Sequence, residues 1–231
     1  LYLLMKYIID FYSCELTKGE TIMKQYDLLV IGFGKAGKTL AATFGKEGKQ
    51  VALIEQDPAM YGGTCINIGC IPTKTMIVGA DKGKTYEAAK ATRDTVVGKL
   101  NAKNLNMLTS NPNVTVYTGH GKFISNKEVE VTTAEGVETL TAETIIINTG
   151  ATNVVLPIPG LSTSKFVYNS TELQALPTLP KRLGIIGCGN IGIEFANLYA
   201  RLGAEVTAFE SGDRILKRED ADVAAVAQQY L

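Results

Sequence analysis

Cys65 and Cys70 are the residues best suited to do chemistry, with four residues between them in the run GGTCINIGCIPTK over 62–74. Three chemistries compete for such a pair. As zinc ligands the cysteines need two further donors, and the chain offers only His120, Cys14 and Cys188. As unrelated buried thiols they are inert. As a redox-active disulfide they exchange an electron pair. In an ideal helix residues five apart rise by roughly 7.5 Å, beyond the usual limit of about 7 Å between the Cα atoms of a disulfide. A bridge therefore requires a distorted segment, which Gly69 makes easier, and a strained bridge is the more easily reduced. Pro72 suits the first turn of a following helix, whose N-terminus beside Cys70 favours a thiolate.

A second chemistry is written in glycines. Gly32, Gly34 and Gly37 follow the apolar run Leu28 to Ile31 as GxGxxG, and a helical stretch through Phe44 comes next. Gly48 breaks the chain, and a second apolar run, Val51 to Ile54, ends at Glu55. In a dinucleotide fold the first glycine makes the tight turn, the second lets backbone approach a pyrophosphate, and the third lets helix pack on strand. The helix N-terminus then faces the phosphates, and Glu55 is placed to accept hydrogen bonds from a ribose. The pattern repeats: Gly187, Gly189, Gly192, Gly203 and Glu210 each lie 155 positions after Gly32, Gly34, Gly37, Gly48 and Glu55. That period is far too long for a solenoid. It indicates two nucleotide-binding units, hence a relay from a nicotinamide cofactor to a bound flavin. The cysteine pair follows Glu55 by ten residues, so a chain leaving the ribose end can run along the ligand to its reactive ring. FAD is therefore expected in the first unit and the nicotinamide in the second. Glu210 favours NADH over NADPH because a carboxylate repels a 2′-phosphate, although Arg214 and Arg218 lie close by in sequence.

The elements needed to position these residues form an α/β chain of two Rossmann-like three-layer units, the second incomplete. The chain has 231 residues, with 23 Lys plus Arg balancing 23 Asp plus Glu. Zero net charge gives no field to draw in nucleic acid or an acidic membrane. At 45% hydrophobic and 20% charged, the composition is globular rather than disordered. No apolar run reaches the roughly 20 residues that cross a bilayer. Four cysteines are too few for a secreted disulfide scaffold, so a cytoplasmic protein is expected, with no resident metal. Lys74 to about Leu108 reads as one helix. Val129 to Thr133 and Glu138 to Thr141 form a hairpin about Ala134-Glu135-Gly136, a further strand runs from Thr144 to Asn148, and Leu156 to Gly160 marks the domain joint.

Paired GxGxxG units with GGTCxNxGCxPTK between them resemble the class I pyridine nucleotide-disulfide oxidoreductases, the family of glutathione reductase, dihydrolipoamide dehydrogenase and mercuric reductase. The resemblance covers about Met23 to Leu231. IGFGKAGKTLA and MYGGTCINIGCIPTKT look closest to the RclA-like group, linked to reactive-chlorine resistance and copper(II) reduction. The resemblance implies that Cys70 is the thiolate against the flavin and Cys65 the interchange thiol. It implies a Lys74–Glu194 pair beside the ring, against the plainer reading of two separate solvated charges. Gly63 and Thr64 of the cysteine motif and Thr149-Gly150 after the last strand of the first unit resemble FAD contacts. Gly121, after the lone His120, resembles a turn near the adenine. The implied activity passes electrons from NAD(P)H through FAD and Cys65–Cys70 to a small-molecule or metal-ion oxidant such as Cu(II), in a homodimer. A dihydrolipoamide dehydrogenase-like enzyme and an inactive nucleotide-binding fragment are the alternatives.

The expected domains are a leader over 1–22, an FAD-binding domain over 23–155 and the start of an NAD(P)-binding domain over 156–231. Lys18-Gly19-Glu20 is encodable by purine-rich codons such as AAA-GGA-GAA just ahead of Met23, the pattern of a ribosome-binding site before a start. The family continues well past Leu231, through a dimerisation domain with a His–Glu acid/base pair. The 231-residue chain alone is therefore expected to be poorly stable and to lack full turnover, with an unfinished sheet that exposes edges and apolar faces.

Overall fold

The computed structural model describes residues 23–231; the expected leader, 1–22, lies outside the described residues. Two compact units emerge. One holds the described residues up to Tyr61 together with Leu105–Thr149, and the other holds Gly62–Asn104 and Gly150–Leu231. This division by packing differs from the sequence boundary at 155/156, because residues 62–104 cluster with the second unit, where Met76, Ile77, Ala80 and Tyr86 pack into the core.

In the first unit β1 (Lys24–Ile31), β2 (Val51–Glu55), β3 (Val114–Phe123), β4 (Glu128–Thr133) and β5 (Gly136–Ile147) are hydrogen-bonded into a closed ring. β1 lies parallel to both β2 and β5, and β2 lies parallel to the first half of β3. β4 closes the ring antiparallel to the second half of β3 and the first half of β5. The alternation of side chains along β1 sorts two cores. Leu28 and Val30 pack with Leu53 and with Ala41 of α1 (Lys35–Lys46), while Leu29 and Ile31 pack with Tyr117, Val129 and Leu140. Each such fully buried Leu or Ile contributes about 1.5–3 kcal/mol, so burial on both faces explains why these runs read as continuously apolar.

Three sequence expectations are corrected here. The hairpin about Ala134-Glu135 forms, but its second strand does not stop at Thr141. β5 continues to Ile147, because β4 pairs with its start and β1 with its end. His120 and Gly121 are not in a turn but within β3, paired with Thr132 and Val131, because β4 offers that half of the strand a partner. The expected long helix is two, α3 (Cys70–Asp81) and α4 (Tyr86–Thr109). Gly83, at φ 70°, turns the chain between them in a conformation that other residues resist.

The second unit contains α2 (Thr64–Asn67), α3 and most of α4. It continues through α5 (Ser170–Ala175), β6 (Arg182–Ile186), α6 (Asn190–Arg201), β7 (Glu205–Phe209) and α7 (Ala221–Gln229). β6 and β7 are parallel. One face of this two-stranded sheet, Leu183, Ile185 and Val206, packs toward Phe195, Leu198 and Tyr199 of α6 and Met76 of α3. Ile186 and Phe209, in contrast, are 55% and 57% exposed. Among the described residues no helix is long and apolar enough to cross a membrane.

Candidate functional site

The first glycine loop is built around a side chain that the motif does not reveal. Gly32 has φ 102° and turns the chain off β1. Gly34 is the N-cap of α1, and no side chain caps that helix. A Cβ on Gly34 or Gly37 would come within 2.8 and 2.6 Å of the Asn148 amide, and one on Gly37 within 2.5 Å of Val30. Asn148 itself donates from Nδ2 to the Gly32 carbonyl at 3.0 Å and from its backbone N–H to Ile31. Gly34 is therefore needed first to make room for Asn148. Thr149 lies against the same turn, its Cα 3.1 Å from where a Gly32 Cβ would sit. The only sequence signal for Asn148 is a polar residue closing an apolar strand.

The two strand-end acids do the same job in both repeats. Glu55 accepts from the Phe33 N–H at 3.0 Å and the Asp57 N–H at 3.1 Å. Glu210, 155 residues later, accepts from the Cys188 and Gly212 N–H groups, both at 2.9 Å. The Cys188 N–H is the main cause that holds the Glu210 carboxyl below its ordinary range. Each acid thus ties its glycine loop to its second strand, with lone pairs left over for a ribose.

The second loop is more open than the first. Gly187 has φ 99°. Gly189 caps α6 without side-chain help, and a Cβ there would meet nothing within 4 Å. Gly192 is the opposite case, since its Cβ would fall 1.9 Å from the Gly187 carbonyl oxygen. Two uncapped helix starts, each behind a tight glycine turn, fit the phosphates of a dinucleotide. Arg214 is engaged within its own loop. Its guanidinium donates to the carbonyls of Leu216, Lys217 and Glu219 at 2.8–3.2 Å. It thereby braces Leu216, the one non-glycine residue at positive φ among the described residues.

The cysteines sit where a helix is broken. Gly63, at φ 81°, leads into α2, which begins at Thr64 and carries Cys65. The Thr64 carbonyl then accepts from both the Ile68 and Gly69 N–H groups, at 3.0 and 2.7 Å, and this ends α2. Cys70 opens α3, with Pro72 in its first turn, as the residue types require. Both cysteines are exposed. Gly150, at φ 75°, belongs to this unit also.

Lys74 and Glu194, 120 residues apart in sequence, meet at 2.5 Å because α3 packs on α6. They are a pair, not separate surface charges. Asp81 and Arg201 form a second ion pair between the same helices. Among the described residues no group of three or more His, Cys, Asp or Glu is arranged to hold a metal ion.

Cys188 is a different thiol. It is 3% exposed, and burial is the main cause pushing its pKa up. In the reduced protein, iodoacetamide is expected to modify Cys65 and Cys70 roughly tenfold faster or more than Cys188, since the thiolate is the nucleophile. Peptide mass spectrometry over a time course checks this, and equal rates would contradict the buried setting.

Comparison with known proteins places these features in a family. The family model for pyridine nucleotide-disulphide oxidoreductases matches residues 26–231. A probable pyridine nucleotide-disulfide oxidoreductase, RclA of Escherichia coli, is 50% identical over 202 residues, 87% of this chain and 46% of that protein. A dihydrolipoyl dehydrogenase of Chlamydia pneumoniae is 36% identical over 217 residues, covering 87% of this chain and 46% of its own length. Among solved structures, the Cu(II) complex of the HOCl-induced flavoprotein disulfide reductase RclA from Escherichia coli superposes with a TM-score of 0.87 at 48% identity. It covers 90% of this chain and 47% of its own. The chain spans about half the length of the curated relatives it matches.

Proposed function

Because the chain belongs to the pyridine nucleotide-disulphide oxidoreductase family, we propose that its full-length protein is an FAD-dependent disulfide oxidoreductase driven by NAD(P)H. The observation that carries this reading is the exposed Cys65–Cys70 pair at a broken helix, in a chain with two glycine-loop units. When bound, FAD supplies the two-electron relay between nicotinamide and sulfur.

The chain's own residues are assigned as follows. Gly32, Gly34 and Gly37 with the start of α1 hold the FAD pyrophosphate and Glu55 its ribose, while Gly63, Thr64, Thr149 and Gly150 add contacts. His120 and Gly121, being strand residues, are assigned no catalytic part. Gly187, Gly189 and Gly192 hold the nicotinamide cofactor's pyrophosphate, and Glu210 its ribose. The Cys65–Cys70 bridge takes up two electrons and two protons to become a dithiol. Cys65 then meets the oxidant, and Cys70 is the sulfur facing the flavin. Lys74, held by Glu194, places a positive charge for the relay. With Cu(II) as oxidant, the dithiol returns two electrons to two Cu(II) ions, giving two Cu(I), the re-formed bridge and two protons. Cu(II) is named because it is bound in the RclA complex. A homodimer in the reducing cytoplasm, where a dithiol persists, completes the proposal.

The test is NADH-dependent reduction of Cu(II) by the full-length protein, run beside NAD+-dependent oxidation of dihydrolipoamide. Copper turnover well above lipoamide turnover supports the reading. The reverse makes it a dihydrolipoyl dehydrogenase, and a colourless protein inert to both ends it.

NADH is the proposed donor. Glu210 would repel a 2′-phosphate, and the Arg214 guanidinium is already engaged by three carbonyls. kcat/KM for NADH is expected to exceed that for NADPH by roughly tenfold or more, a difference of about 1.4 kcal/mol per tenfold. Glu210→Gln should narrow the ratio by improving NADPH. Steady-state kinetics with both cofactors decides, and a preference for NADPH would refute the assignment.

A further inference from the structure

We propose that Gln174 is a positioning residue for the cysteine pair, clamping the backbone between Cys65 and Cys70 in the broken-helix shape that a disulfide needs. The proposal rests on the reading of that pair as the working redox couple. Gln174 lies in α5, more than 100 residues from the cysteines, yet it is 2% exposed. Its Nε2 donates to the carbonyl of Ile68, which lies between the two cysteines, at 3.4 Å, and to the Ser170 carbonyl at 3.0 Å. Its Oε1 lies 3.4 Å from the Thr73 hydroxyl, whose single proton is shared between that oxygen and the nearer Gly69 carbonyl at 2.9 Å. One side-chain amide therefore spans the break, from the end of α2 to the first turn of α3. Both amide hydrogens and the carbonyl are used, as a buried amide requires.

A six-residue helix could not hold such a clamp by itself, but α5 is fixed from three sides. Asn169 and Glu172 form a reciprocal capping box at its start. The Tyr199 hydroxyl donates to the Leu173 carbonyl at 3.0 Å and the Tyr86 hydroxyl to the Leu176 carbonyl at 2.9 Å. These carbonyls flank Gln174. Burial is the main cause pushing both phenols up, so both keep the proton they donate. On the other side of the break, the Asn101 amide of α4 donates to Asn67 at 3.1 Å.

The clamp has a redox consequence. Continued as a regular helix, the segment would hold the two Cα atoms too far apart for a bridge. Once the bridge is reduced no covalent bond maintains the break, and the clamp does so instead. Re-forming the bridge then costs less ordering, so the clamp stabilises disulfide relative to dithiol.

The experiment equilibrates the full-length flavoprotein in graded dithiothreitol buffers and counts Cys65 and Cys70 thiols by alkylation and mass spectrometry, without turnover. Gln174→Leu, which fills the same space, should shift the equilibrium about tenfold toward dithiol, or about 30 mV for a two-electron couple. Thr73→Val should shift it the same way, and Thr73→Ser should restore it. The double variant should shift no further than the larger single, because both substitutions break one clamp. Folded Gln174→Leu and Thr73→Val proteins with the unaltered equilibrium would overturn the proposal. If Gln174→Leu does not fold, the contrast between Thr73→Val and Thr73→Ser decides alone. If the unaltered protein shows no bridge in any buffer, the redox reading of the pair fails and takes this proposal with it.

Discussion

Replacing Cys70 with serine is expected to abolish NADH-driven turnover while leaving the protein folded and its nucleotide sites intact. Cys70 is exposed at the first position of α3, so the change from sulfur to oxygen removes no core packing. What it removes is the bridge, because a hydroxyl does not form one. On the proposed mechanism no other route carries the electron pair to the oxidant. A loss on the order of 10³-fold or more is therefore expected, about 4 kcal/mol of barrier. Cys65→Ser should abolish turnover equally but differ in one readout. With the flavin oxidised and no electrons added, the Cys65→Ser protein should already show a long-wavelength absorbance band from the Cys70 thiolate beside the flavin, and the Cys70→Ser protein should lack it. Absorbance spectra of both variants check the assignment. A Cys70→Ser protein that turns over normally would remove the basis for the function proposed here.

The second large effect contrasts two glycines of one motif. At Gly192 an added methyl falls 1.9 Å from the Gly187 carbonyl oxygen. That atom is backbone, so α6 and its loop must move apart. Gly192→Ala is expected to cost about 1–3 kcal/mol of stability as overpacking, and to weaken the nicotinamide cofactor as well. At Gly189 a methyl meets nothing within 4 Å, and the backbone, at φ −76°, suits any residue. Gly189→Ala should leave thermal unfolding unchanged and raise only the KM for NADH, if a pyrophosphate approaches that backbone. Melting curves with and without NADH separate the two. Equal destabilisation by both would mean the loop differs from the one described, and no effect on NADH at Gly189 would move the cofactor elsewhere.

Much of the fold and of the candidate site was legible because it is local or repeated. β1, α1 and β2 follow from an apolar run, three glycines and a second apolar run, each decided by neighbours in the chain. Read as a disulfide, the Cys65–Cys70 pair requires a break between them, from helix rise and disulfide reach. Repetition named Glu55 and Glu210 together, and the two acids do make matching bonds to their loops.

Other features were not legible, and the reason is physical in each case. The family resemblance implies a turn at His120 and Gly121, but β4, a partner from elsewhere in the chain, keeps them in a strand. The long helix was divided by a single glycine whose positive φ is only one of its options. Asn148 and Gln174 carry no motif at all. Each matters because packing carries its amide to a distant backbone, the Gly32 carbonyl in one case and the Ile68 carbonyl in the other.

Sequence by itself determined the two glycine loops and the cysteine pair between them, since glycine conformation and strand burial act within a few residues. Only the tertiary structure decided that Lys74 meets Glu194, that Arg214 braces its own loop, and that a buried glutamine holds the cysteine segment. Those contacts join residues separated by up to 120 positions or depend on a loop's final shape. Both are fixed by the packing of whole elements, which no local pattern encodes.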